Sequence, residues 1–171
     1  DVRLEKAHKL MKPLLYVMPE DPNDLSLYFE NVDKLFALNE VQDDLRVQLM
    51  TPFLTETARR VLLGLSADDL GSYEHWKAAL LREYRLTPSA FRRNFVNASK
   101  TSTESWTQFA TRLSCLMKYY LSSRKVTTFD QLLSLLLSDK MKDMISGYAK
   151  YHVTDREGTG WFSAPQIGEL L

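Results

Sequence analysis

Residues 100–113 read KTSTESWTQFATRL. Thr101 and Glu104 have the spacing of a capping box. In that motif a hydroxyl takes one free backbone N–H at a helix start, and a carboxylate three residues on reaches back to another. Losing such a cap costs about 0.5–2 kcal/mol. Behind it Trp106, Phe109, Ala110, Leu113, Met117 and Tyr120 recur at three and four residues, which predicts a buried helical stripe. Arg112 lies two helical turns past Glu104, roughly 12 Å along an axis that rises 1.5 Å per residue. That is too far for an unaided ion pair. A third group from the preceding loop or a neighbouring element would have to bridge the two. The alternative is that Glu104 only caps the helix and Arg112 is a solvated surface charge.

The same periodicity extends in both directions. Strand-like alternation is almost absent, and the six Gly and six Pro fall between periodic segments, so the chain reads as all-α. A short basic helix over about residues 3–12 ends at Pro13, and YVMPEDPND is turn-rich. In NDLSLYFENVDKLFALN, Leu25, Tyr28, Phe29, Val32, Leu35 and Phe36 share one helical face. Asn39 and Gln42 have capping-box spacing, and Thr51 ahead of Pro52 predicts a helix start. After a turn at Ser66–Asp69 a helix carries Tyr73, Trp76, Leu80 and Tyr84. Thr87 and Pro88 begin a new helix with Phe91 and Phe95 four apart. TTFDQLLSLLLSDKMKDMI presents a broad apolar face, and Ser163 is the expected cap of a last short helix. These restarts divide the chain into a leader (1–13), a first small bundle (14–86) and a second (87–171).

Composition narrows the function classes. Lys+Arg and Asp+Glu both total 22, so the net charge is zero. A dedicated nucleic-acid surface normally leaves a basic excess, whereas a neutral chain has little long-range repulsion between copies. Cys115 is the only cysteine, which excludes an internal disulfide and fits a reducing compartment. No apolar run approaches the roughly 20 residues that cross a bilayer, so no membrane association is expected. The start at Asp1 and the end at GELL suggest a piece of a longer polypeptide.

The pattern K-x3-E-x7-R at Lys100, Glu104 and Arg112, with Trp106, Phe109 and Leu113, resembles the major homology region of retroviral and retrotransposon Gag capsid proteins. Lys100 replaces the usual glutamine of that pattern. Lysine donates but does not accept, so it cannot bridge a carboxylate to a guanidinium as an amide does. MPEDPNDLSLYFENVDKLF, the segment from LTETARRVLLGL to FRRNF, and FDQLLSLLLSDKMKDMI resemble the capsid region of gypsy-class LTR retrotransposon Gag. The second half is also similar to SCAN domains, which are dimerisation modules. The resemblance covers nearly the whole chain. It implies two helical lobes joined near YRLTPSAF, rings formed through the N-terminal lobe and dimers through the C-terminal lobe. It also implies a network of Lys100, Thr101, Glu104, Trp106, Phe109 and Arg112 that fixes the C-terminal lobe. The expected function is a self-assembling shell enclosing element RNA, in cytoplasmic virus-like particles. The alternative is a capsid-derived or SCAN-like dimerisation or adaptor module that binds a peptide or protein partner, nuclear if SCAN-like.

Signs of enzymatic chemistry are missing. His8, His75 and His152 are scattered, and none has metal-ligand spacing to Cys115. GTG at 158–160 lacks the residues of a phosphate loop, and no serine sits in a nucleophile elbow. No catalytic residue, cofactor or metal is therefore expected. There is no Cys-Cys-His-Cys zinc knuckle, so RNA contact is expected only through sequence outside these residues. Leucines at 132, 133, 135, 136 and 137 are more than one core-facing stripe needs. Leu132, Leu135 and Leu136, with Trp161 and Phe162 from a Gly-flanked loop, form the candidate self-association surface. Closing the bundle's own core is the competing role for each of them.

Overall fold

The computed structural model describes all 171 residues. It is helical throughout, in agreement with the periodicity. Eleven α-helices follow one another: α1 (Val2–Met11), α2 (Leu25–Leu38), α3 (Asp43–Met50), α4 (Glu56–Leu63), α5 (Ala67–Leu70), α6 (Tyr73–Glu83), α7 (Pro88–Val96), α8 (Trp106–Ser123), α9 (Phe129–Met144), α10 (Gly147–Glu157) and α11 (Ala164–Leu170). The chain divides into two compact units, Asp1–Met117 and Lys118–Leu171, with the division inside α8.

The first unit is organised around α2 and α6. Leu25, Tyr28, Phe29, Val32 and Phe36 of α2 are buried, as the three-and-four spacing predicts. Tyr73, Trp76, Ala79 and Leu80 of α6 are buried as well. The rings pack edge to face, Phe36 on Tyr73 at 5.5 Å and Phe29 on Trp76 at 6.0 Å between centroids, the arrangement that ring quadrupoles favour. Asp33 ties the two helices at the rim, accepting from the Tyr73 hydroxyl (2.6 Å) and Lys77 Nζ (2.8 Å). The Arg46 guanidinium covers the Phe36 and Tyr73 rings, and its Nε donates to the Val41 carbonyl (3.0 Å). The Tyr28 hydroxyl donates to the Tyr16 carbonyl (2.9 Å), and burial pushes this phenol well above its ordinary pKa.

Helix starts follow most of the caps, with corrections at Thr51 and Asn39 and, before α8, at Thr101. Thr87 Oγ1 accepts from Ala90 N–H (3.2 Å), and Ser163 makes a full capping box with Gln166, both as the sequence indicates. Thr51 and Pro52 instead form a single 3-10 turn, and α4 begins only after Thr55, whose hydroxyl accepts from Ala58 N–H. The second threonine, four residues on, supplies the cap, and Leu54 just before it is extended and buried. Asn39 does not box with Gln42. Its amide bonds back to the Leu35 carbonyl (2.8 Å) and finishes α2.

In the second unit α9 is the central element and α11 lies against it. Leu135, Val153 and Ile167 are fully buried, one from each of α9, α10 and α11. Gly158 ends α10 at φ 58° and ψ −120°, a conformation that only glycine adopts without strain.

Candidate functional site

The segment before α8 makes a compact polar junction. Helix α8 starts at Trp106, one turn later than the Thr101 cap predicts. Ser105 and Gln108 make the reciprocal box. Gln108 N–H donates to Ser105 Oγ (3.1 Å), and Ser105 N–H donates to Gln108 Oε1 (2.7 Å). Only the carboxylate half of the expected Thr101–Glu104 box forms: Thr101 N–H donates to Glu104 Oε1 (2.8 Å), while the Thr101 hydroxyl lies beside Thr103. Those residues form a turn.

This displacement corrects the distance argument. Glu104 lies before the helix, so its side chain is free of the axial rise that would separate it from Arg112. Helical side chains also lean toward the N-terminus, which aims Arg112 at the turn. The two pair directly and need no bridge. Arg112 Nη2 donates to Glu104 Oε1 (2.6 Å) and Nε to Oε2 (3.2 Å), the two-pronged geometry a guanidinium offers a carboxylate. Nη2 also donates to the Ser99 carbonyl (2.6 Å), so one side chain ties α8, the turn and the segment after α7 together.

The other expected members of the network stand around this pair. Phe109 is half-buried, with the Arg112 guanidinium over its ring at 5.0 Å. Lys100 bonds neither partner. Its Nζ donates to the Thr101 carbonyl (3.1 Å) and sits over the Trp106 ring at 5.3 Å. Trp106 is 73% exposed, Ala110 is exposed, and Phe109, Leu113 and Met117 are half-buried, so of the stripe predicted to be buried Tyr120 alone is; Cys115 and Leu116, outside that stripe, are buried as well. The first turn of α8 is largely exposed.

The Arg112 hydrogen bonds first, and the Thr101 N–H second, hold the Glu104 carboxyl below its ordinary value. The Glu104 hydrogen bond raises Arg112. A carboxylate depressed in the folded chain adds stability that is full above its unfolded titration and is lost as pH falls through its folded one. Acid titration of folding stability should therefore lose a component below the ordinary value of 4.5. Glu104→Gln should lack that component. Denaturation midpoints measured across the acid range check this.

Helix α9 presents the second feature. Leu135 is fully buried and Leu132 half-buried, while Leu136 and Leu137 are each 52% exposed. Leu135 is thus removed from the candidate surface: at about 100° per residue it lies on the side of the helix opposite Leu133 and Leu137. With Ser138 and Asp139 it faces inward. The Tyr120 hydroxyl donates to Asp139 Oδ2 (2.5 Å), and burial together with that bond raises the phenol's pKa. The exposed face carries Phe129 (76%), Leu133, Leu136, Leu137 and Met144 (72%). Tyr148 and Tyr151 of α10 add exposed rings that the sequence reading did not single out. Among the α10 residues only Val153 is buried, so its core-facing signal is one residue wide.

Trp161 and Phe162 are half-buried, and each makes a hydrogen bond within its own unit. Trp161 donates from Nε1 to the Arg124 carbonyl (3.1 Å), while Phe162 N–H donates to Glu157 Oε2 (2.7 Å). Glu157 also accepts from Lys142 Nζ (3.1 and 3.2 Å). The turn between α10 and α11 is held from both sides. No helix is long and apolar enough to cross a membrane, and no group of acidic, His or Cys side chains is gathered that could hold a metal ion. No protein-family model, curated protein or solved structure matches this chain.

Proposed function

We propose that this chain is a structural protein of the Gag capsid type, whose copies associate through helical faces into a shell, and that it catalyses no reaction. The lobe boundary that the resemblance implies, between 86 and 87, does not coincide with the division of the compact units inside α8, so the Glu104–Arg112 junction belongs to the first unit, Asp1–Met117. The observation that carries the reading is the exposed face of α9. Phe129, Leu133, Leu136, Leu137, Lys140 and Met144 fall within an arc of about 100° at the helical repeat. Contiguous apolar faces of this kind mark interaction sites.

The order of residues on that face favours a second copy as the partner. Laid antiparallel on itself, α9 puts Phe129 opposite Met144, Leu133 opposite Lys140, and Leu136 opposite Leu137. The set is symmetric about its midpoint, which is what a two-fold interface requires. The lysine stem can cover apolar surface while its ammonium stays in water. Zero net charge leaves no long-range repulsion to overcome.

Electron microscopy of the purified chain at raised protein and salt concentration tests the reading. Shells or tubes are expected, with none from Arg112→Ala or from Leu136→Asp. A dimer that never grows larger would instead point to the capsid-derived adaptor role, and particles from both variants would remove the proposed interfaces.

A further inference from the structure

A cleft of about 370 Å³ opens in the first unit, lined by Asn23, Asp24 and Leu27, by Arg93, Asn94 and Asn97, and by Arg112 and Leu116. The first group lies at the start of α2, the second on and just past α7, and the last on α8. Apart from Arg112, its polar side chains make few hydrogen bonds within the chain. Asp24 stands at the N-cap of α2 without making a capping bond. Asn97 caps α7 through its backbone alone. Arg93 is exposed and makes no ion pair, whereas Arg112 is committed to Glu104 and Ser99. The Asn94 amide nitrogen is buried with no hydrogen-bond partner. A buried donor left without an acceptor is destabilising, and a turn about the broad last torsion of an asparagine would relieve it once an acceptor filled the cleft.

We infer that this cleft binds an extended peptide segment bearing an acidic side chain. A carboxamide offers one acceptor and two donors, which complement the carbonyl and N–H of a peptide unit, and three carboxamides converge here. Asp24 supplies a further acceptor for a peptide N–H. Arg93 is the group placed to take a carboxylate through its paired donors. Leu27 and Leu116 provide an apolar patch for a small side chain. A nucleic-acid strand fits less well, because the lining contains no aromatic ring on which a base could stack. This inference is independent of self-association through α9.

The test is panning of a random peptide library against the full chain, with counter-selection on Arg93→Glu. Thermal melts establish that Arg93→Glu and Asn97→Ala keep the fold. Enrichment of sequences containing Asp or Glu is expected. Their synthetic versions should lose about tenfold or more in affinity with Arg93→Glu, the effect of one charge-assisted bond, and should lose affinity with Asn97→Ala. No enrichment, enriched peptides indifferent to both substitutions, or Arg93-dependent binding of a single-stranded RNA oligonucleotide in place of peptides would overturn the inference.

Discussion

Lys142→Ala is expected to destabilise residues 118–171 by about 3–5 kcal/mol, the range for removing one partner of a buried ion pair. The Lys142 side chain is 12% exposed and that of Glu157 is 5% exposed. Alanine would leave a carboxylate out of water with only the Phe162 N–H as a donor. The double variant Lys142→Met with Glu157→Gln should recover much of the stability. It buries no charge, and the new amide oxygen can still accept from Phe162 N–H. Hydrogen exchange of the α9–α11 amides measures the effect locally. Equal protection in the parent and Lys142→Ala would show that the pair contributes nothing.

Leu135→Ala is expected to cost about 2–5 kcal/mol, the penalty for emptying a fully packed leucine site. Leu136→Ala, one residue along the same helix, should change stability by no more than about 0.5 kcal/mol, as surface substitutions do. The contrast follows from rotation around α9 alone. Leu135 has no exposed surface, while half of Leu136 lies in water. Urea denaturation midpoints of the two variants decide it. Similar losses at both sites would mean that α9 is buried on two sides, and the exposed face would disappear with it.

Helix content was legible in the sequence because apolar spacing reports burial directly. Leu25 to Phe36 on α2 and Tyr73 to Leu80 on α6 needed nothing else. Caps were less secure, since polar candidates often lie a few residues apart. At Thr51/Thr55 and Thr101/Ser105 the later residue of each pair starts the helix, and the chain between is drawn into a turn. That same shift is why the Glu104–Arg112 pair looked too long in sequence and is direct in space. The division of leucines on α9 between core and water was not readable either. Five closely spaced leucines fit more than one face, and the packing of α11 decides which turns inward. The cleft gave no sequence signal at all. Asn23, Asn94 and Asn97 become neighbours only through the meeting of α2, α7 and α8.

Sedimentation velocity over a rising concentration series tests self-association most directly. The parent chain should shift from monomer toward dimer and larger species, while Leu136→Asp, with an unchanged melting profile, should remain monomeric throughout. A parent that stays monomeric at every concentration, or a Leu136→Asp variant that associates as the parent does, would contradict the assignment of the α9 face to a second copy.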